Sequence, residues 1–577
     1  MSQNAEHGLA PFASRITEAV AAALELPAEQ VQLERPRNEE HGEFALPCFR
    51  FAKAAKANPA ELAGRLAAEL NIADVEASNI GPFLNFRLDD TALAAQVVAD
   101  AGRDDFGRGQ SSERTLVEYS SPNIAKPMHI GHLRTTVIGA ALARMFDHLG
   151  HEVVRINHIG DWGSQFGKLL AAFRRWGSEE ALEQDPIAHL LELYVRYHAE
   201  EKEDESLDAE AKAEFLALES GEENDARHDW KRFTELSLRE FQNTFNRLDA
   251  HFDLIRGESW YEDKLEALVQ WLDDAGVLEL NDGALIVDLE SEDISTPCLV
   301  KTSRGTTLYA TRDLAAAKSR WDEFAFDRCL YVVGAEQSLH FKQFKAVLKR
   351  CGTEWWDRIE HIPFGLVRFT EGKLSTREGR VLSLQEVLDR AVELAREIVE
   401  EKNPEHVNKD EVAEQVGIGA VIFHDLKHQR QKDVVFNWKE VLSFEGDTGP
   451  YLQYTHARCC SILRKAGRRN PDGTATEAAA NAAAVDPALL ADGRELWVQL
   501  GRFPAAVREA ADKREPMLLA QALLKIAAAG NSFYREKRVL GGDDPALENA
   551  RLAAIDCLRN TLASGLHMLG VPTPEEM

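Results

Sequence analysis

The 577-residue chain has no apolar run long enough to cross a bilayer, and its N-terminus is polar before an amphipathic helix begins over 16–24. Neither a spanning segment nor a secretory leader is expected. Cysteine is scarce. The seven are scattered apart from adjacent Cys459 and Cys460, with no CxxC pair, so neither a disulfide framework nor a zinc knuckle is indicated and a reducing cytoplasm fits best. Positive charge is also short: Lys+Arg of 67 against Asp+Glu of 96 gives −29. That total speaks against a nucleic-acid partner, although a large acidic protein can keep one basic face. Acidic residues crowd into 200–223, read as a solvated insertion, while basic ones cluster at 427–432, 458–469 and 535–538.

Two common nucleotide fingerprints are missing as well. Gly163-Ser-Gln-Phe-Gly167-Lys168 has one residue too few between its glycines for a P-loop, and Leu169 stands where a hydroxyl should hold magnesium. Gly417-Ile-Gly419 has no third glycine in register. What the chain does have is a strand-turn-helix pattern around residues 115–150. Thr115 to Tyr119 are strand formers, and Leu133, Val137, Ile138, Leu142, Met145, Phe146 and Leu149 recur at helical spacing up to Gly150, a C-terminal cap. The turn between them, Ser120-Ser-Pro-Asn-Ile-Ala-Lys126-Pro-Met-His129-Ile-Gly131-His132, puts a lysine, a glycine and two histidines at a helix mouth. Helix N-termini favour anions, glycine permits close approach, and imidazole and ammonium groups donate to phosphate oxygens. An ordinary polar loop would have a similar composition.

The full string resembles the HIGH signature of class I aminoacyl-tRNA synthetases, and SSPNIAKPMHIGHLR is similar to the arginyl-tRNA synthetase version. The resemblance implies an α/β fold: a class I Rossmann-type parallel-sheet catalytic domain with an N-terminal α/β accessory domain and a C-terminal all-helical bundle. Expected boundaries are 1–106, 107–383 with a helical insertion at about 165–290, a connector at 384–445, and 446–577. Gly372-Lys373-Leu-Ser375-Thr-Arg377-Glu-Gly379-Arg380 resembles the KMSKS loop, with Leu374 for the usual Met and Thr-Arg for Lys-Ser. Lys126, His129, Gly131, His132, Lys373, Ser375 and Arg377 are the expected ATP and catalytic residues. Cations there would offset charge that builds as pyrophosphate leaves. A solvated loop would show the same residues.

Tyr309 and Asp313, four apart in Tyr309-Ala-Thr-Arg-Asp313, share a face if helical. A guanidinium asks for carboxylates in a planar array and an aromatic face. Glu118, Asp313 and Tyr309 have those parts, and by resemblance Ser121, Asn123, Gln337 and His132 would hold the other end of arginine. Taken alone, Asp313 also suits a helix cap or an internal pair with Arg312 or Arg328. ERPRNEEHGEF and GPFLNFRL are similar to the family's N-terminal domain, which implies that Phe83 and Asn85 touch the tRNA elbow; sheet packing explains them equally. Tyr454, His456, Arg458 and Tyr534 interleave rings and cations in a segment that resembles the DALR anticodon-binding domain. The resemblance implies ATP with Mg2+ and no dedicated protein metal site, with tRNA(Arg) and L-arginine as partners, no membrane, a monomer and a cytoplasmic location. A cysteinyl-type ligase and a catalytically silent RNA-binding protein are the competing readings.

Overall fold

The computed structural model describes residues 7–204, 206–369, 383–405, 407–470, 473–480 and 484–577. Gly372 to Arg380, and with it Lys373, Ser375 and Arg377, lies outside the described residues. The chain divides into two compact units: one of Met1–Gln110, Val399–Val416 and Ser443–Met577, the other of Ser111–Ile398 and Gly417–Leu442. The first unit contains both the N-terminal and the C-terminal segment, and residues 384–445 are divided between the two units.

In the first unit, strands β1 (Phe44–Pro47), β2 (Val75–Ile80) and β3 (Phe83–Leu88) form an antiparallel sheet in the order β1-β3-β2. Helices α1 (Ala10–Leu24) and α2 (Pro59–Glu69) cover it, burying Ile16, Val20, Leu62 and Leu66 against Leu46, Leu84 and Phe86. Asn58 caps α2 by accepting from the Ala60 N–H, with Pro59 in the first turn where its missing N–H costs nothing. Helix α3 (Asp90–Ala101) follows. Arg494, from the helical part of the unit, donates to Leu88 O (2.9 Å) and pairs with the buried Glu43 carboxylate (2.6 Å).

The second unit is built on a five-stranded sheet. Its strands are β4 (Arg114–Glu118), β5 (Glu152–Asn157), β6 (Leu254–Ile255), β10 (Arg328–Tyr331) and β11 (Ile359–His361), in the order β11-β10-β4-β5-β6, every pairing parallel. A parallel sheet covered on both faces favours continuous apolar strands, and Thr115 to Glu118 are all buried. Helix α4 (Ile130–His148) returns from β4, while α5 (Tyr309–Phe324) and α6 (Ser338–Arg350) pack Leu314, Ala317, Phe341, Phe344 and Val347 against Leu116, Cys329 and Ile359. Three further strands, β7 (Glu279–Asn281), β8 (Ala284–Val287) and β9 (Cys298–Lys301), make an antiparallel sheet; β12 (Val367–Phe369) pairs in parallel with β13 (Val434–Phe436).

The expected insertion is largely helical, with helices Ser164–Trp176, Pro186–Glu200, Ser206–Glu219 and Asp225–Arg247. It also contains β6, a two-residue strand too short to declare itself by alternation. The acidic stretch is ion-paired: Arg175 binds Asp204 and Glu210, and Lys168 binds Glu201. Lys168, of the false P-loop, therefore faces a carboxylate.

Candidate active site

The turn after β4 is held in a strained path. Ser120, Ser121 and Ala125 have φ of 74°, 49° and 61°, left-handed values that cost a non-glycine residue about 1–3 kcal/mol each. Neighbouring side chains fix them. The Ser120 N–H donates to Thr135 Oγ1 (3.0 Å), Ser121 N–H to Asn157 Oδ1 (3.2 Å), and Ala125 N–H to Ser237 Oγ (3.0 Å). The turn pairs with the stretch after β5: Gly160 N–H donates to Pro122 O and Ile124 N–H to Gly160 O. A Cβ on Gly160 would lie 1.9 Å from Asn123 Oδ1, so a larger residue there would have to displace the Asn123 side chain.

At the mouth of α4, the His129 Nδ1 accepts from the Gly131 N–H (3.1 Å) and His132 Nδ1 accepts from the His129 N–H (3.0 Å), a capping box made of two imidazoles. An Nδ1 that accepts leaves the proton on Nε2, so each ring presents an Nε2–H donor. Burial lowers the His129 pKa, and burial plus the neighbouring ring lowers that of His132 to about 3. Both rings therefore work as neutral donors at pH 7. Gly131 was expected to admit a phosphate or flat ring; the ring it admits is His129's own, 2.8 Å from where a Cβ would stand. Lys126 sets its ammonium 4.8 Å from the Tyr194 ring centre, a cation–π contact from the insertion that the sequence did not announce.

The acidic side of the site is at the carboxyl ends of β4 and β10, where Glu118 and Tyr331 stand opposite. Glu118 does not arrive as a free carboxylate. Arg320 Nη1 lies 2.5 Å from its Oε2, and both side chains are buried. Tyr309 and Asp313 do share the first turns of α5. Tyr309 is 60% exposed, and Asp313 Oδ2 lies 2.6 Å from His340 Nε2; the expected alternative pairing with Arg312 is not made, since Arg312 binds Glu262 (2.6 Å). Glu258 stands among carboxylates. Burial, with Asp313, Asp161 and Glu262 nearby and Arg312 opposing, raises its pKa to about 7. Asp161 is braced by Ser259, which donates through N–H (2.9 Å) and Oγ–H (2.6 Å). Gln337 and Asn123 are exposed, at the start of α6 and in the turn.

Several buried polar atoms around this region have no hydrogen-bond partner among the described residues: Ser121 Oγ, Asn157 Nδ2, His158 Nδ1 and Trp162 Nε1. Such atoms are costly in a native interior unless water or another group satisfies them. Of the expected RNA contacts, Asn85 is only 2% exposed on the central strand β3, between Ala45 and Ser78, so it holds the sheet instead of facing a ligand. His456 is likewise buried, at 1%, beside Pro574 O. Phe83 remains exposed, edge-on to exposed Phe49. Tyr454 and Tyr534 are each 41% exposed and flank the Arg458 guanidinium at 4.8 and 5.8 Å.

A sequence model for tRNA synthetases class I (R), catalytic domain, matches residues 97–438. The arginine–tRNA ligase of Clostridium acetobutylicum is 43% identical over 550 residues, 94% of this chain and 96% of its own. The chain belongs to the arginyl-tRNA synthetase family. Models for the arginyl tRNA synthetase N terminal domain and the DALR anticodon binding domain match residues 11–88 and 452–577. The arginine–tRNA ligase of Enterococcus faecalis is 44% identical over 560 residues, 96% of this chain and 97% of its own. Among solved structures, the Thermus thermophilus arginyl-tRNA synthetase superposes with a TM-score of 0.81 at 29% identity, covering 98% of this chain and all of that one. As a class I synthetase of this family, the chain activates arginine with ATP and charges tRNA. Among the described residues, no helix is long and apolar enough to cross a membrane.

Proposed function

We propose that arginine and ATP meet over the carboxyl ends of β4 and β10. The substrate carboxylate attacks the α-phosphorus in line, pyrophosphate leaves to give arginyl-adenylate, and the terminal 2′-hydroxyl of tRNA(Arg) then takes the arginyl group as AMP leaves. Positioning and charge stabilisation do the work, so no covalent nucleophile is required. The observation that carries this reading is the imidazole capping box, which aims two Nε2–H donors from a helix mouth beside Lys126. Asp313, with Glu258 and Glu262 behind it, matches the guanidinium, Tyr309 covers it, and the Glu118–Arg320 pair forms a rigid floor. Ser121, Asn123 and Gln337 hold the α-amino and carboxylate end. Lys373, Ser375 and Arg377 complete the triphosphate site.

Magnesium fits here only as a companion of ATP. Lys126, His129 and His132 are nitrogen groups, a poor set for a hard cation that prefers oxygen, so phosphate oxygens and water would coordinate it. The basic platform of Tyr454, Arg458 and Tyr534, opening on a cavity of about 320 Å³ shared with Asn403, Lys465 and Met577, takes an unstacked anticodon base. Phe83 and Phe49 offer a second aromatic contact for the tRNA elbow. The enzyme acts as a cytoplasmic monomer. Pyrophosphate exchange with each amino acid, with and without tRNA, tests the assignment: exchange with cysteine but not arginine supports a cysteinyl-type ligase, and none at all supports a silent RNA-binding protein.

A further inference from the structure

Helix α7 (Gly449–Lys465) carries His456 and Cys460 four residues apart and therefore on one face. Both are buried. The segment after helix α9 (Pro545–Leu569; α8 is Pro516–Glu536) folds back across that face. Gln453 Nε2 donates to Pro572 O (2.9 Å), Arg464 Nη2 donates to Glu575 O (3.1 Å), and His456 Nδ1 lies 3.2 Å from Pro574 O. The consequence is that a ligand atom from each of His456, Cys460 and Glu575 lies within 4.8 Å of the others.

The chemistry of the three groups is that of a zinc site. An imidazole nitrogen facing a carbonyl must donate, so Nδ1 carries the proton and Nε2 keeps its lone pair, the state in which protein histidines bind metals. Cys460 Sγ stands 3.7 Å from His456 Nε2 and 3.8 Å from its Nδ1, so the thiol lies beside the ring, and the two side chains must turn relative to each other to hold an ion on the Nε2 lone pair with Zn–S of about 2.3 Å and Zn–N of about 2.0–2.1 Å. Glu575 Oε2 is buried without a hydrogen bond among the described residues, and Arg464 Nη1 stands 3.6 Å away. We propose that His456, Cys460 and Glu575 bind zinc, with water as the fourth ligand, and that the ion staples the C-terminal segment to α7. Mixed nitrogen, sulfur and oxygen donors suit zinc and exclude magnesium and calcium. Binding converts the Cys460 thiol to a thiolate and releases one proton to solvent per ion.

Guanidiniums weaken the site without occupying it. Arg464 also pairs with Glu576 (2.9 Å), Arg469 with Asp556 (2.8 Å), and Arg559 donates to Asn560. The stapled segment continues into Glu576 and Met577, which line the cavity beside Tyr454 and Arg458, so the ion also fixes one wall of the platform. The test is a Co2+ titration of the metal-stripped full chain, followed by absorption. A thiolate-to-cobalt charge-transfer band saturating at one equivalent, and quenched by zinc, is expected. Cys460→Ser loses the band, Cys459→Ala keeps it, and Glu575→Gln weakens cobalt binding by about tenfold or more. No such band in the wild-type chain at a large excess of cobalt, or a band that survives Cys460→Ser, overturns the proposal. The wild-type titration decides even if a variant fails to fold.

Discussion

Arg134, in the second turn of α4, is 1% exposed and its Nε lies 2.8 Å from Asp425, which is 3% exposed. Its Nη1 donates to Gly365 O (2.8 Å) and Lys432 O (2.9 Å). One guanidinium thus ties the signature helix to the residues just before β12 and β13. Breaking a buried pair from one side costs about 3–5 kcal/mol, because the remaining charge is stranded. Burial already raises the Asp425 pKa despite Arg134 beside it. Arg134→Met keeps the stem and removes the charge and both carbonyl bonds. If about 3 kcal/mol of that loss falls on β12 and β13, their opening rises more than a hundredfold. The assay is amide hydrogen exchange on peptides covering 366–369 and 434–436, with the 44–47 strand as internal reference. Because β12 leads directly into the KMSKS-like stretch, pyrophosphate exchange should fall while tRNA affinity holds. Unchanged protection in both strands would refute the reasoning, since it would mean the pair carries no net load.

His132→Ala removes one preorganised donor and should lower kcat for pyrophosphate exchange by roughly 10²–10³-fold, and in the wild type no break attributable to His132 should appear down to about pH 5, because its pKa lies near 3. Asp313→Asn should raise the arginine KM sharply and leave tRNA affinity almost unchanged; equal loss of both would make Asp313 structural. Glu258 titrates at about pH 7 without substrate. A bound cation favours its charged form, so below pH 7 binding must expel a proton: arginine affinity should rise between pH 6 and 8 by up to about tenfold per unit below 7 and then level, and Glu258→Gln should flatten the profile. Tyr454→Ala should weaken tRNA binding by about 1–3 kcal/mol in a filter-binding titration without slowing arginine activation in a saturating tRNA assay.

Much of the scaffold was legible because local rules decide it. Strand formers followed by helical spacing placed β4 and α4, with Gly150 at φ 86° just past the helix, and the four-residue spacing of Tyr309 and Asp313 survives because the helix begins at Tyr309. What was not legible is long-range pairing. Nothing near Glu118 announces Arg320, 202 residues on, and nothing near Arg134 announces Asp425. Asn85, offered by resemblance as an elbow contact with sheet packing as the alternative, is buried on the central strand β3, and a single strand's sequence does not say which of its faces is covered. The basic clusters were visible in sequence, but only folding separates Arg458, open between two tyrosines, from His456 two residues earlier, turned into the protein.

Around Glu258 the acidic groups are held by internal partners: Glu262 by Arg312, Asp313 by His340 and Asp161 by Ser259, while Glu118 is held by Arg320 at the end of β4. Asp161, Glu262 and Asp313 all stand close enough to Glu258 to bear on its charge. Left alone in a poorly hydrated site, such a group sheds its charge by taking up protons, and Glu258 is already near that point. Arg320 on Glu118 and Arg312 on Glu262 set a positive charge against two carboxylates. A guanidinium bound at the proposed site would add a positive charge beside Glu258 and Asp313. A neutral isostere such as citrulline brings no charge to set against Glu258, and a buried charge without a partner costs more than a missing hydrogen bond. On the proposed site, discrimination should therefore depend on Glu258 as well as Asp313, and Glu258→Gln should narrow the preference for arginine over citrulline in pyrophosphate exchange.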